Sequence, residues 1–290
     1  MTEGVIVEVT ARGPVGVRPW RLLRRPAVLV GLLLVSAAVL SAAFAPLLAP
    51  YDPVAINALD RLQGPSAAHL LGTDQYGRDN LTRILYGGRT SLFVAGASIL
   101  FATLVGGTLG LVAGYLRGPF DVLTMRVTDI LLSFPAILLA VALIAFYGNS
   151  VVNLVLAIGV VYTGPFVRVA RAAVFTVREE LYVEAARALG ARGLRVVLLG
   201  IVPNITAPLV VEITLRLAYA VLTEASLAFL GLGPPPPTPS WGQMIAEGQR
   251  FLALSPWSAV APGLVIMLTV LGFNLLGDGI RDLTDPRLRS

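Results

Sequence analysis

The chain has 290 residues, 56% of them hydrophobic and only 13% charged, with a mean hydropathy of +0.79; a soluble domain carries about 25% charged residues, so lipid is the solvent for most of this chain. All 22 basic residues are arginine and there is no cysteine, which excludes a lysine-dependent G-x-x-x-x-G-K-[ST] phosphate loop, disulfides and thiol chemistry. The net charge of +5 suits arginine-rich loops held on one side of a membrane better than a nucleic-acid surface.

Residues 1–25 form a polar tail ending in Arg18, Arg21, Arg24 and Arg25, expected in the cytoplasm with a short surface helix near Trp20. Residues 26–51 hold no charge and are long enough to cross a bilayer. Ala43-Phe44-Ala45 resembles a signal-peptidase site, but the apolar run continues past it, so a retained span is the preferred reading. Segment 52–89 is polar, with four arginines and four aspartates. A second uncharged span runs over 90–116 and is rich in glycine, which lets helices approach closely in lipid. A connection over 117–126 leads to a third span from Arg126 to Phe146, a tight turn at 147–150 and a fourth span over 151–173.

The central stretch, 174–204, is the one polar passage of any length between the long apolar runs, and carries Arg178, Arg187, Arg192 and Arg195. Leu181, Ala185, Ala188 and Leu189 recur at helical spacing, Gly190 is placed to stop that helix, and a second short helix is expected from Leu194 until Pro203. The fifth span, 205–230, contains Glu212, Arg216 and Glu224. A loop over 231–256 begins with four consecutive prolines, for which an extended polyproline path is expected. The sixth span covers 257–276, and residues 278–290 form an arginine-bearing tail. Six spans bring both termini to one side. The positive-inside tendency makes that side the cytoplasm, and puts 52–89, the 147–150 turn and the proline loop outside.

Few of these residues offer chemistry. Glu212 and Arg216 stand in the favourable order for an i,i+4 pair. Asp129 is expected beside Arg126 in a structural role. Glu224 lacks a partner at such spacing; it is open whether it meets an ammonium or metal cation on a translocation path, with Thr223 and Asn274 as companions, or takes hydrogen bonds from the neighbouring loop. His69 is the single histidine, too little for a relay or a metal cluster, and no metal is assigned.

Glu184, Ala185, Ala186 and Gly190, followed by Pro203, form E-A-A-x-x-x-G with a proline nineteen residues after the glutamate. This resembles the EAA loop of the membrane subunits of ATP-binding-cassette importers. The isoleucine-x-leucine usual before that proline is here Gly200-Ile201-Val202. Leu71-Gly72-Thr73-Asp74-Gln75-Tyr76-Gly77-Arg78-Asp79, Glu224-Ala225-Ser226-Leu227-Ala228-Phe229-Leu230-Gly231 with the following prolines and Trp241, and Phe273-Asn274-Leu275-Leu276-Gly277-Asp278 resemble the dipeptide/oligopeptide/nickel permeases, in order, as a C-type subunit.

The resemblance implies an all-α polytopic membrane protein with the type I importer fold and a five-helix permease core over 90–277. It implies a bacterial inner-membrane subunit that pairs with a B-type permease and takes substrate from an extracytoplasmic binding protein. Two ATPase subunits would carry the ATP and Mg; this chain would bind no cofactor. Glu184, Ala185, Ala186, Arg187, Gly190 and Pro203 would contact the ATPase, and Asp74, Arg78, Asp79 and Trp241 are candidates for docking the binding protein. Dipeptides or oligopeptides are the expected cargo, with nickel or another small solute as the alternative. A self-contained secondary transporter would show internal repeats and helices broken at mid-membrane, and neither is seen in the sequence.

Overall fold

A computed structural model describes residues 25–191 and 193–284; the rest of both expected tails, including the surface helix expected near Trp20, and Arg192 lie outside the described residues. The chain order is α1 (Pro26–Ala43), α2 (Ala45–Leu48), a 3-10 turn (Ala58–Asp60), α3 (Asn80–Leu116), α4 (Gly118–Ser133), α5 (Ala136–Tyr147), α6 (Val151–Arg178) and α7 (Leu181–Ala188). A π-helical turn (Val196–Ile201) then leads into α8 (Val202–Phe229), followed by α9 (Trp241–Gly248), a 3-10 turn (Gln249–Phe251) and α10 (Trp257–Thr284). Helix is the only regular structure among the described residues apart from one bridge between Thr73 and Asp79.

Among the described residues five helices are long and apolar enough to cross a membrane: α1, α3, α6, α8 with its π turn, and α10. The third expected span departs from a straight crossing. It is the pair α4 and α5, bent by 92°, and counts as a sixth span only if the two are taken together. Pro135 explains the bend. The residue before a proline is driven out of the helical region, and Phe134 sits at φ −88°, ψ 137°. The expected connection 117–126 shrinks to Arg117 alone, because α4 begins at Gly118. The second span starts earlier than its apolar run: the Asp79 carboxylate accepts the Thr82 N–H (2.7 Å) and caps α3 ahead of the uncharged stretch.

The closest packing joins α3 to α6. Gly106, Gly110 and Gly114 lie one turn apart, and a Cβ would meet the Thr163 carbonyl at 2.5 Å from Gly106 and the Val167 carbonyl at 2.4 Å from Gly110. In lipid, where apolar side chains gain little by leaving their solvent, such backbone approach is a main source of helix association. Gly31 and Gly272 play the same part where α1 crosses α10, and Arg25 at the start of α1 forms an ion pair with Asp282 near the end of α10. The bundle therefore has two distinct ends. One gathers Arg25, Arg117, α7 and Asp282; the other gathers the 49–79 segment, the 148–150 turn and α9.

Candidate functional site

At the first end, α7 stands out from the bundle. Val183 is its buried residue and packs with Val174, Val196, Ile201 and Ile205. Leu181 is 71% and Leu189 89% exposed, and Glu184 and Ala185 also face outward. Ala186 and Arg187 are half-buried, with the Arg187 guanidinium 6.0 Å from the Tyr115 ring centre. Gly190 ends the helix at φ +89°, where its N–H bonds the Arg187 carbonyl and the Ala191 N–H bonds that of Ala186. This double bond is the Schellman closure, and its left-handed residue favours glycine.

Pro203 does not end a second short helix as expected. It lies exposed in the first turn of α8, and the chain passes without a break from the π turn into α8. Proline has no N–H to give the preceding turn, and the widened π turn accommodates that loss. The Tyr182 hydroxyl donates to the Gly200 carbonyl in this turn (3.1 Å).

Ion pairs brace the elements leading to α7. Arg168 meets Asp129 (2.7 Å), Arg171 holds both oxygens of Asp121, and Arg117 reaches Glu179 (2.5 Å). Asp129 thus pairs across helices with Arg168 and not with Arg126. Glu212 and Arg216 pair within α8 at 2.6 Å, the spacing expected of them.

At the opposite end, Asp74 organises a tight loop. Its carboxylate accepts the Tyr76 and Arg78 backbone N–H groups (2.8 and 3.0 Å) and the Arg78 and Arg83 guanidinia (2.6 and 2.5 Å). Gly77 takes φ +74°, with no room for a side chain against the Asn57 carbonyl. Both arginines also reach Glu247 on α9, at 2.8 and 3.0 Å. Two acids and two arginines thus balance in charge and tie the loop to α9. His69 donates its Nδ1–H to the Asp79 carboxylate at 2.9 Å and lies against the Tyr51 ring.

Asp74, Asp79 and Trp241 are buried here and Arg78 is largely covered. Their side chains build the platform that joins the loop to α3 and α9. Trp241 seats its ring on Gly88 of α3 and donates its indole N–H to the Ile84 carbonyl (2.9 Å). The proline run is not one extended path. The Pro236–Pro237 peptide is cis and the Thr238 N–H turns back to the Pro235 carbonyl.

Glu224 lies beneath α9, with none of its surface exposed. The hydroxyls of Ser91 and Ser240 are the polar groups beside it, though neither reaches full hydrogen-bonding geometry. Each hydroxyl already accepts an α9 backbone N–H, from Trp241 (3.2 Å) and Gln243 (3.4 Å), which leaves its proton free to turn toward the carboxylate. Glu224 therefore has no access to solvent in this conformation. Thr223 is also committed, to the Tyr162 hydroxyl (2.8 Å), while Asn274 is half-buried on α10. An apolar groove of about 380 Å³ opens beside these residues, between Ile137, Leu222, Ala225, Phe229, Ile245 and Ile266. Glu247, Ser91, Ser240 and Tyr182 were not singled out from the sequence, because their roles arise from partners far along the chain.

Residues 106–290 match the family described as binding-protein-dependent transport system inner membrane component, and residues 19–65 match the N-terminal TM domain of oligopeptide transport permease C. The chain is 44% identical to the dipeptide transport system permease protein DppC of Alkalihalophilus pseudofirmus, over 94% of this chain and 92% of that one. It is 43% identical to the di/tripeptide transport system permease protein DppC of Pseudomonas aeruginosa, over 90% and 88%. It is 41% identical to the glutathione transport system permease protein GsiD of Pectobacterium atrosepticum, over 94% and 92%.

Proposed function

Because this chain belongs to the family of binding-protein-dependent transport system inner membrane components, we propose that it is one of two membrane subunits of an ATP-driven importer of short peptides. The relatives named above carry dipeptide, di/tripeptide and glutathione in their names, which favours a short peptide over nickel or another solute as cargo. The observation that carries the mechanism is α7: a short helix held by one buried valine, with leucines and Glu184 turned outward as a surface for another protein.

In this reading α7 and both termini face the cytoplasm of a bacterium, and the 49–79 segment with α9 faces outward. Two ATPase subunits bind α7 and carry ATP and Mg; this chain binds neither and catalyses no bond chemistry. A B-type permease completes the path, and a binding protein delivers peptide at the α9 end. Closure of the ATPase pair moves α7, and the bundle tilts as a rigid body to open the path to the other side.

The test is to tag the chain, extract it gently from its own cells and identify what accompanies it. A second permease and ATPase chains are the expected companions; a chain that emerges alone and stable contradicts the proposal. In the assembled complex, Glu184→Lys reverses a charge on the α7 surface. It is expected to abolish ATP-driven peptide uptake, and normal uptake by that variant would remove α7 from the ATPase contact.

A further inference from the structure

A helix docked on an ATPase transmits force only if something stiff joins it to the spans, and α7 has few such links. Beyond it the chain bends at Gly190 and Gly193, both at positive φ with open space around them. Its side-chain holds are Val183, the Arg187 guanidinium on the Tyr115 ring, and one hydrogen bond, from the Tyr182 hydroxyl to the Gly200 carbonyl. That carbonyl also accepts the Asn204 side-chain amide at 2.8 Å. Burial and the neighbouring Glu180 hold the Tyr182 hydroxyl above its ordinary range, so it remains a proton donor at cellular pH.

The acceptor sits in a distinctive place. Gly200 belongs to the π turn, next to Pro203, which has no N–H for the turn before it. A π turn is one residue out of register with the α-helix it interrupts, so an α-helical alternative lies close by. An element able to take either register is the kind that can carry coupling between sites.

We propose that Tyr182 is the positioning residue that couples α7 to α8, through the Gly200 carbonyl of the π turn. The inference rests on the reading of α7 as the ATPase contact. With the hydroxyl in place, a displacement of α7 is delivered to the start of α8. Without it, the same displacement is absorbed at the Gly190–Gly193 bend and ATP is spent without transport.

The experiment uses the whole complex, reconstituted in vesicles with its binding protein, and follows radiolabelled dialanine uptake and ATP hydrolysis together. Tyr182→Phe keeps the ring and removes only the donor. It is expected to raise the ATP hydrolysed per dialanine imported about fivefold, the factor that goes with one ordinary hydrogen bond, at unchanged KM for ATP. Asn204→Ala is expected to act in the same direction. The double variant should be no worse than the larger single effect, because both donors share one acceptor.

A wild-type ratio in Tyr182→Phe overturns the proposal. So do additive effects of the two substitutions, and so does loss of the ATPase from the Tyr182→Phe complex, which would make the hydroxyl a docking contact. A wild-type complex that recruits no ATPase, or imports no dialanine, fails one step earlier and takes the proposed function with it.

Discussion

Arg83 is 2% exposed and holds Asp74 and Glu247 together across more than 160 residues of sequence. Removing one member of a buried ionic group leaves the others desolvated and uncompensated. Arg83→Met is therefore expected to destabilise the protein by about 3 kcal/mol. The loss should show as a lower melting temperature in detergent and faster proteolysis within 49–79. Glu224 is a matter of packing, since neither serine hydroxyl reaches full hydrogen-bonding geometry with it. Glu224→Ala leaves a cavity at a fully buried position beneath α9, at a cost of about 1–3 kcal/mol. Uptake should fall along with the melting temperature, since α9 rests on Ser91 and Ser240 beside it. An unchanged melt would show that the site closes over the smaller side chain.

At the level of elements, the α3–α6 contact makes a sharp contrast between neighbouring glycines. Gly110 has the Val167 carbonyl 2.4 Å from where a Cβ would stand, whereas Gly107 has nothing within 4 Å. Gly110→Ala must push the helices apart and should prevent a stable fold. Gly107→Ala should be neutral or stabilise slightly, by up to about 1 kcal/mol, because alanine is the better helix former. Thermal melts of the two variants side by side decide the matter.

The same elements show how far the sequence could be read. The long apolar runs and the Gly190 stop were legible because each is local: composition marks the one, backbone chirality the other. The bend at Pro135 had a local signal too, and was missed because the apolar run through it is uninterrupted. The clamp on Glu247 and the burial of Trp241 had none. Their partners lie on α3 and in the 72–79 loop, and pairings at such separation leave no periodicity.

For the molecule as a whole, the two ends should lie on opposite faces of the membrane. The chain contains no cysteine, so single substitutions report without background. Leu59 and Leu189 are 90% and 89% exposed at opposite ends. A membrane-impermeant maleimide should label Leu59→Cys in intact cells with the outer barrier opened, and Leu189→Cys only once the inner membrane is breached. The reverse pattern would invert the orientation.

The meeting of α1 with α10 bears on how the protein is made. α1 has its principal berth on α10, through Gly31 on Gly272 and Arg25 on Asp282. About 210 residues separate the end of α1 from the start of α10, which at ribosomal speed is roughly ten to forty seconds of synthesis. For that interval α1 has its berth unmade and depends on lipid, or on the insertion machinery, to keep it. A chain halted before Trp257 should therefore leave α1 open to degradation, and α1 is secured only once α10 has been made.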